Sequence, residues 1–162
     1  MKTNKINLIA SLILVIFLSM SCNNPTDPSP TSGTISGIVS FPITSGTISD
    51  AWPVGQVSIG MYLTWPPQGA PADTTNIAVA DLDESNQYHY TFDNVVFETY
   101  PGIAVSWLDP EDTSPFTQNH ALGAYGATSQ PSFEDATSIT VSAENHEQLN
   151  LDFIAYLTLA VP

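Results

Sequence analysis

The sequence predicts an all-β protein, an antiparallel β-sandwich of about seven strands. Three observations point to this fold class. Beyond Gly33, apolar residues alternate with polar ones at a period of two, as in strands that bury one face. Clusters of Pro, Gly, Asn and Asp separate these alternating stretches. After Met20 no apolar repeat at helical spacing is sustained. Short strands bounded by turns are typical of two sheets packed face to face.

The predicted strands follow one another along the chain, each with apolar residues on a shared face. These residues are Ile35, Val39 and Phe41; Val57, Ile59, Met61, Leu63 and Trp65; Tyr88, Tyr90 and Phe92; Ile103, Val105 and Trp107; Ile139 and Val141; and Leu149, Leu151, Phe153 and Ala155. Weaker candidates are Ile77 with Val79, and Leu122. We expect one domain over residues 34–157, which is long enough for a single core.

The N-terminus has the three parts of an export signal over residues 1–21. Lys2 and Lys5 precede an apolar run from Leu8 to Met20, and small residues follow. The run has 13 residues, whereas a membrane-spanning helix needs about 20. A cleaved signal is therefore favoured over a membrane-anchor helix, and the product is either secreted or lipidated.

The stretch LSMSC, which ends at Cys22, resembles the lipobox of bacterial lipoproteins. That resemblance implies that the Cys22 thiol carries a diacylglyceryl group and that the signal is cut before it. The common pattern has Leu three residues before the cysteine, where this chain has Ser19. Cys22 is the only cysteine, so no intramolecular disulfide can use it. Acyl chains would hold the protein on a membrane, with the outer membrane of the cell envelope expected.

Residues 22–33 are predicted to form a flexible linker between this anchor and the domain. Three prolines stand among Asn, Thr, Ser and Asp, and nothing apolar is available to bury. Proline also interrupts strand pairing, which argues against a first edge strand here.

The charge distribution excludes one class of partner. Lys2 and Lys5 are the only basic residues, and all 16 carboxylates lie beyond them. The formal net charge is −14, and loss of the N-terminus would make it −16 because two positive charges leave. Since phosphate backbones are bound by Lys and Arg, nucleic acid is excluded as a partner.

A second resemblance rests on ISGIV at residues 35–39, VSI at 57–59 and YTFDNVVFETY at 90–100. These stretches are similar to carboxypeptidase regulatory-like domains, which have a transthyretin-like, prealbumin-type sandwich. Tyr90, Phe92, Val95 and Tyr100 stand at the family's spacings, whereas Glu98 replaces its turn glycine. The resemblance implies a non-catalytic module that acts as a spacer, an adhesion unit or a carbohydrate-associated domain.

Catalytic patterns are weak in this sequence. The histidines at 89, 120 and 146 have no metal-ligand spacing, and no G-x-S-x-G elbow is present. We expect His89, which alternates with Tyr88 and Tyr90, to face solvent or the opposite surface of the sheet. The protein is therefore predicted not to be an enzyme.

Calcium is the one cofactor that the sequence suggests. Asp81 and Asp83 place oxygen ligands at alternating positions, as hard-cation loops do, and Asp93 could complete a looser site. Residues 109–112 offer another acidic turn. In both places the alternative is a solvated acidic turn without a bound ion.

Aromatic residues suggest a glycan partner as an alternative to a protein partner. Trp52 and Trp65 precede prolines and are expected at bends, with Tyr62 near them, so these three are the candidate ligand contacts. Sugar faces stack on exposed aromatic rings. Trp107 shares its face with Ile103 and Val105 and is predicted to lie in the core. The leading interpretation is a structural or interaction role at the cell envelope, and the alternative is carbohydrate binding.

Overall fold

The computed structural model describes residues 28–114 and 119–160. The predicted signal peptide and Cys22 lie outside the described residues. Ten strands are described: β1 (Gly33–Ser40), β2 (Gln56–Tyr62), β3 (Asp73–Ile77), β4 (Gln87–Val95), β5 (Thr99–Tyr100), β6 (Gly102–Leu108), β7 (Asn119–Ala124), β8 (Ile139–Thr140), β9 (Glu147–Gln148) and β10 (Phe153–Ile154). A short helix, α1 (Ile48–Ala51), and two 3-10 turns, Val79–Asp81 and Leu157–Leu159, complete the elements.

The strands form an all-β sandwich, which confirms the predicted fold class. One sheet has the order β10-β1-β4, with β9 also paired to β1, and the other has the order β3-β2-β6-β7. A third, two-stranded sheet consists of β5 and β8. The long neighbouring strands are antiparallel, while β9 and β10 pair with β1 in parallel.

The core lies between the inner faces of the two sheets, as the alternation predicts. Buried apolar residues come from β1 and β4 on one side and from β2, β6 and β7 on the other: Ile35, Val39, Tyr90, Phe92, Val57, Ile59, Ile103, Val105, Trp107 and Leu122. Trp107 is 4% exposed, so its predicted place in the core is confirmed. Because each strand alternates faces, the residues between these positions point away from this core. On β6 they are buried as well, since Ser106 is 6% exposed.

β2 is shorter than the alternation predicts. It ends at Tyr62, and Leu63 and Trp65 lie in the following loop. Pro66 and Pro67 explain this end, because proline lacks the backbone N–H that a paired strand requires. The weak candidate around Val79 is also different, since Val79 begins a 3-10 turn while β3 ends at Ile77.

The C-terminal segment has strand-like burial with little strand pairing. Leu151, Phe153 and Ala155 are buried, but only Phe153–Ile154 forms a strand there, and Leu149 is half exposed. This segment runs along β1 through single backbone bonds, such as Leu151 N to Ser36 O at 3.0 Å. The alternation therefore predicts the buried residues of this segment correctly, although the segment does not form a continuous ladder of hydrogen bonds with β1.

The turn before β5 keeps its closing contact without a glycine. The Tyr100 hydroxyl donates to the Val96 carbonyl oxygen at 3.0 Å, a backbone contact four residues upstream. Glu98 accepts a hydrogen bond from the Thr99 N–H at 3.2 Å, so its carboxylate takes part in the turn. Such a tyrosine contact fixes the corner between neighbouring strands.

Candidate functional site

Trp65 lies in the loop after β2 with its ring packed onto the start of β6. Its Nε1 donates to the Phe133 carbonyl oxygen at 2.8 Å, and its ring centroid is 5.8 Å from that of Tyr62. Gly102 lies under the ring, because a Cβ there would be 2.2 Å from Trp65 Cε3. Tyr62 itself is 4% exposed. Trp65 and Tyr62 therefore contribute to a small second core together with Ala104, Ala124 and Phe133.

Trp52 belongs to the main core and not to this second one. It follows α1, which Thr47 begins with a capping box that includes Asp50. The Trp52 ring is half-buried and lies 5.3 Å from the ring of Phe41, tilted by 59°. Trp52 and Trp65 thus pack into separate clusters, and the structure does not bring the two rings onto one shared stacking surface.

The predicted cation ligands each hold a local turn or strand end. Asp81 accepts the Ala78 N–H at 2.8 Å. Asp83 accepts the Ser85 and Gln87 N–H groups at 2.8 and 2.9 Å, and the Gln87 bond holds the pKa of Asp83 below its usual value.

Asp93 lies at the opposite end of β4 from Asp83. At about 3.3 Å per residue, the strand between Gln87 and Asp93 is about 20 Å long. Asp93 instead receives a bond of 3.4 Å from the Thr34 hydroxyl. The structure therefore does not bring Asp93 to the other two carboxylates. Within residues 28–114 and 119–160, no three His, Cys, Asp or Glu side chains come close enough to share a metal ion.

The three histidines have unrelated surroundings. His89 Nε2 lies 3.2 Å from Asp83 Oδ2, and the His89 side chain is 63% exposed, as its alternation predicts. The His120 ring lies 5.3 Å from Trp107 across the β6-β7 pair. His146 Nδ1 is buried and has no hydrogen-bond partner among the described residues. Within the part of the chain that the structure describes, none of these histidines is hydrogen-bonded to a serine or threonine hydroxyl that it could activate.

A turn that the sequence reasoning did not single out carries the largest carboxylate shift. Thr128 and Ser129 donate both their hydroxyl and their N–H groups to Asp135. The Ser129 hydroxyl is the main cause that lowers the pKa of Asp135, followed by Thr128. The Ser, Pro and Thr content of residues 128–132 could have indicated this turn, but it does not reveal that Asp135 accepts the hydrogen bonds.

Two open grooves lie on the described surface. The larger, of about 520 Å³, runs along the end of β7 and the C-terminal segment and is lined in part by Thr128, Gln130, Phe133, Asp152 and Tyr156. The smaller, of about 400 Å³, lies beside α1 and includes Asp50 and Leu157. Neither groove is lined by the three predicted aromatic contacts.

These features define a small, strongly acidic all-β sandwich with open surface grooves. Comparison with family models, with curated proteins and with solved structures gave no match for this chain. Among the residues that the structure describes, no helix has the length and apolar character to cross a membrane.

Proposed function

We propose that this protein is an exported, lipid-anchored, non-enzymatic β-sandwich with a structural or interaction role at the bacterial cell envelope. The observation that carries the proposal is the sequence LSMSC followed by a proline-rich stretch, with Cys22 as the only cysteine. Acyl chains on Cys22 would tie the domain to a membrane, with about 0.8 kcal/mol from each buried methylene.

The position of the domain along the chain supports this arrangement. β1 begins at Gly33, 11 positions after Cys22. At about 3.3 Å per extended residue, such a stretch reaches up to about 36 Å. The domain could therefore stand clear of the lipid headgroups and meet another envelope component.

The electrostatics of the domain support a non-enzymatic role. The shifted carboxyl pKa values, those of Asp50, Asp83 and Asp135, arise from hydrogen bonds to nearby turn residues. Burial raises the pKa of Tyr90, whose hydroxyl is held by a backbone carbonyl in the core. Each of these shifts follows from a contact that stabilises the fold, and the shifted groups do not converge on one cleft.

Metabolic labelling with an alkyne analogue of palmitate tests the anchor in a bacterial host. We expect the full chain to carry the label in the membrane fraction and Cys22→Ser to lose it. Ser19→Leu restores the common lipobox and is expected to be processed at least as completely as the parent. Label that stays on Cys22→Ser would overturn the anchor.

Carbohydrate binding is a second candidate, favoured by the chemistry of the larger groove. Tyr156 offers a half-buried aromatic ring, and Asp152 and Gln130 offer a carboxylate and an amide beside it. Rings of this kind stack on sugars, and the polar groups accept and donate hydroxyl hydrogen bonds. A glycan array on the parent protein, with Tyr156→Ala and Tyr88→Ala compared, tests this. Binding lost only in Tyr156→Ala supports it, and an array without any binder excludes it.

A further inference from the structure

One long strand of the sandwich has an unpaired edge. β4, with nine residues, pairs with β1 on one side. On its other side Gln87 exchanges backbone and side-chain bonds of 2.9 Å with Asp83, and a β-bulge follows Asp93. Among the described residues, the open stretch of this edge is therefore residues 89–93. In the other sheet, the C-terminal segment covers the outer edge of β7, through the bond from Tyr156 N to Leu122 O at 2.8 Å. Within the described residues, β3 is the other strand of more than two residues with an open edge. An exposed edge of this length is a template for pairing with another strand.

The backbone groups on the open edge can be assigned from the bonds of β1. Ser36 and Ser40 use their carbonyl oxygens to bind Leu151 and Ala155, on the side away from β4. The intervening Gly37 therefore faces β4, where its register partner is Tyr90. Because backbone groups alternate in direction along a strand, the N–H and C=O groups of the neighbours of Tyr90 point outward, away from β1.

The residues on this edge are self-complementary. His89, Thr91 and Asp93 are exposed and lie on the outer face of β4. If two copies of β4 run antiparallel with Thr91 opposite Thr91, His89 of each copy stands opposite Asp93 of the other. Side chains that hydrogen-bond in directly opposed positions, such as threonine pairs, stabilise strand pairing. A histidine ring nitrogen can likewise hydrogen-bond a carboxylate.

We propose that the open edge of β4 binds a second copy of this chain, with β4 antiparallel to β4 and a two-fold axis at Thr91. Each hydrogen-bonded antiparallel pair exchanges two backbone bonds, so pairing over residues 89–93 makes about six. His89 Nε2 is already directed at Asp83, which leaves Nδ1 as the ring nitrogen available to Asp93 of the second copy.

Overall charge opposes the dimer, and the geometry of the pairing offsets this. Two copies with a net charge of −14 each repel one another. At about 0.15 M salt the Debye length is about 8 Å, so this diffuse repulsion is screened, whereas the contacts between His89 and Asp93 are direct.

The other open edge lacks this complementarity. β3 has the sequence DTTNI, and antiparallel pairing about Thr75 would place Ile77 opposite Asp73 of the second copy. That arrangement sets an apolar side chain against a carboxylate and gives no hydrogen-bonded pair at those positions. β3 has five residues, as many as the open stretch of β4, so the two edges differ in their side chains and not in their length. It therefore serves as an internal control for edge pairing.

The dimer is compatible with two anchors in one membrane. This point rests on the proposed function, whereas the pairing of β4 does not. Gly33 pairs with Val95, so the start of each β1 lies about 13 Å along the strand from the two-fold axis. The two starts are then about 26 Å apart along the strands, and each 11-residue stretch from Cys22 reaches up to about 36 Å.

Disulfide crosslinking of the full chain tests the pairing directly. Thr91→Cys would place two thiols on opposed residues about 5.5 Å apart between Cα atoms, within the range that a disulfide spans. The matched control is Thr75→Cys, on the β3 edge. Cells are treated with a mild oxidant and analysed on non-reducing gels, with the parent chain as baseline for Cys22. We expect at least about tenfold more linked dimer from Thr91→Cys than from Thr75→Cys.

Charge exchange in the Thr91→Cys background tests the register. His89→Asp or Asp93→His alone is expected to reduce the dimer yield, and the two together are expected to restore it. Thermal melting of each variant separates loss of pairing from loss of fold. Equal yields from both cysteine variants, no rescue by the double exchange, or a Thr91→Cys adduct with a different protein would each overturn the proposal. Labelling of Cys22 is read separately, so failure of the anchor leaves this result intact.

Discussion

The Tyr90 hydroxyl donates a hydrogen bond of 2.7 Å to the carbonyl oxygen of Leu151, a residue 61 positions further along the chain. Gly37 lies beside the same carbonyl, since a Cβ there would be 2.4 Å from Leu151 O. Gly37 and Tyr90 are register partners across β1 and β4. Tyr90 and Gly37 thus hold the C-terminal segment against β1. Tyr90 on β4 donates the hydrogen bond, and Gly37 on β1 leaves room for the Leu151 carbonyl because it has no side chain.

The Tyr90 bond predicts a stability loss. Tyr90→Phe keeps the ring but leaves the buried Leu151 carbonyl without this donor, which should lower the free energy of unfolding by about 1–2 kcal/mol. Urea unfolding followed by circular dichroism measures it. Tyr88→Phe, on the same strand and half-buried, is the matched control and should change stability less. Equal losses in the two variants would contradict the role given to the Leu151 contact.

The packing of Trp65 on Gly102 predicts that a single methyl group displaces the ring. Gly102→Ala should destabilise the fold by about 1–3 kcal/mol, because the added carbon overlaps Trp65 in a packed cluster. The melting temperature and tryptophan fluorescence measure the effect. Gly69→Ala is the control, since a Cβ there has no neighbour within 4 Å. If Gly102→Ala changed neither the melting temperature nor the fluorescence, the Trp65 ring would not be held against Gly102.

The Asp135 turn predicts a pH-dependent contribution to stability. Its pKa is lowered in the folded state below the ordinary value of 3.8, mainly by the Ser129 hydroxyl. A carboxyl with a depressed folded pKa stabilises the fold above its unfolded pKa, and loses that contribution as pH falls through the folded value.

Asp135→Asn should therefore melt below the parent at pH 6, with a difference that shrinks as the pH falls below about 4. Thermal melts between pH 6 and pH 2 measure it, and Glu134→Gln, an exposed neighbour, is the control. A difference that grows toward low pH would have the wrong sign for this mechanism.

The separation of Asp93 from Asp83 predicts no shared calcium site. Asp81 and Asp83 bind backbone N–H groups of their own turn, and Asp93 lies at the far end of β4. We expect millimolar calcium to leave the melting temperature unchanged and to release no heat in a calorimetric titration. Binding that Asp83→Asn abolishes would contradict this and restore the acidic turn as a cation site.

Much of the core could be predicted from alternation alone. Ile59, Val105 and Leu151 are buried where a period of two places them, because the residues on one face of a strand share one environment. Trp65 does not belong to β2 as the alternation predicts, and the cause is local, because the prolines after Trp65 end the strand early. Long-range partners could not be predicted, because neither Phe133, whose carbonyl accepts the Trp65 N–H, nor Asp135, which accepts from Ser129, has a signal in the neighbouring sequence.

The sequence by itself determined the fold class and the acidic character, and it carries two predictions: that nucleic acid is not a partner and that Cys22 is an anchor. These follow from composition and short-range order, which depend only on neighbouring residues. The tertiary structure decided which aromatic rings pack into the core, which carboxylates hold turns, and that β4 keeps an open edge with His89 and Asp93 on it. Those properties depend on which distant segments meet, and the sum of many weak contacts across the sandwich selects those meetings.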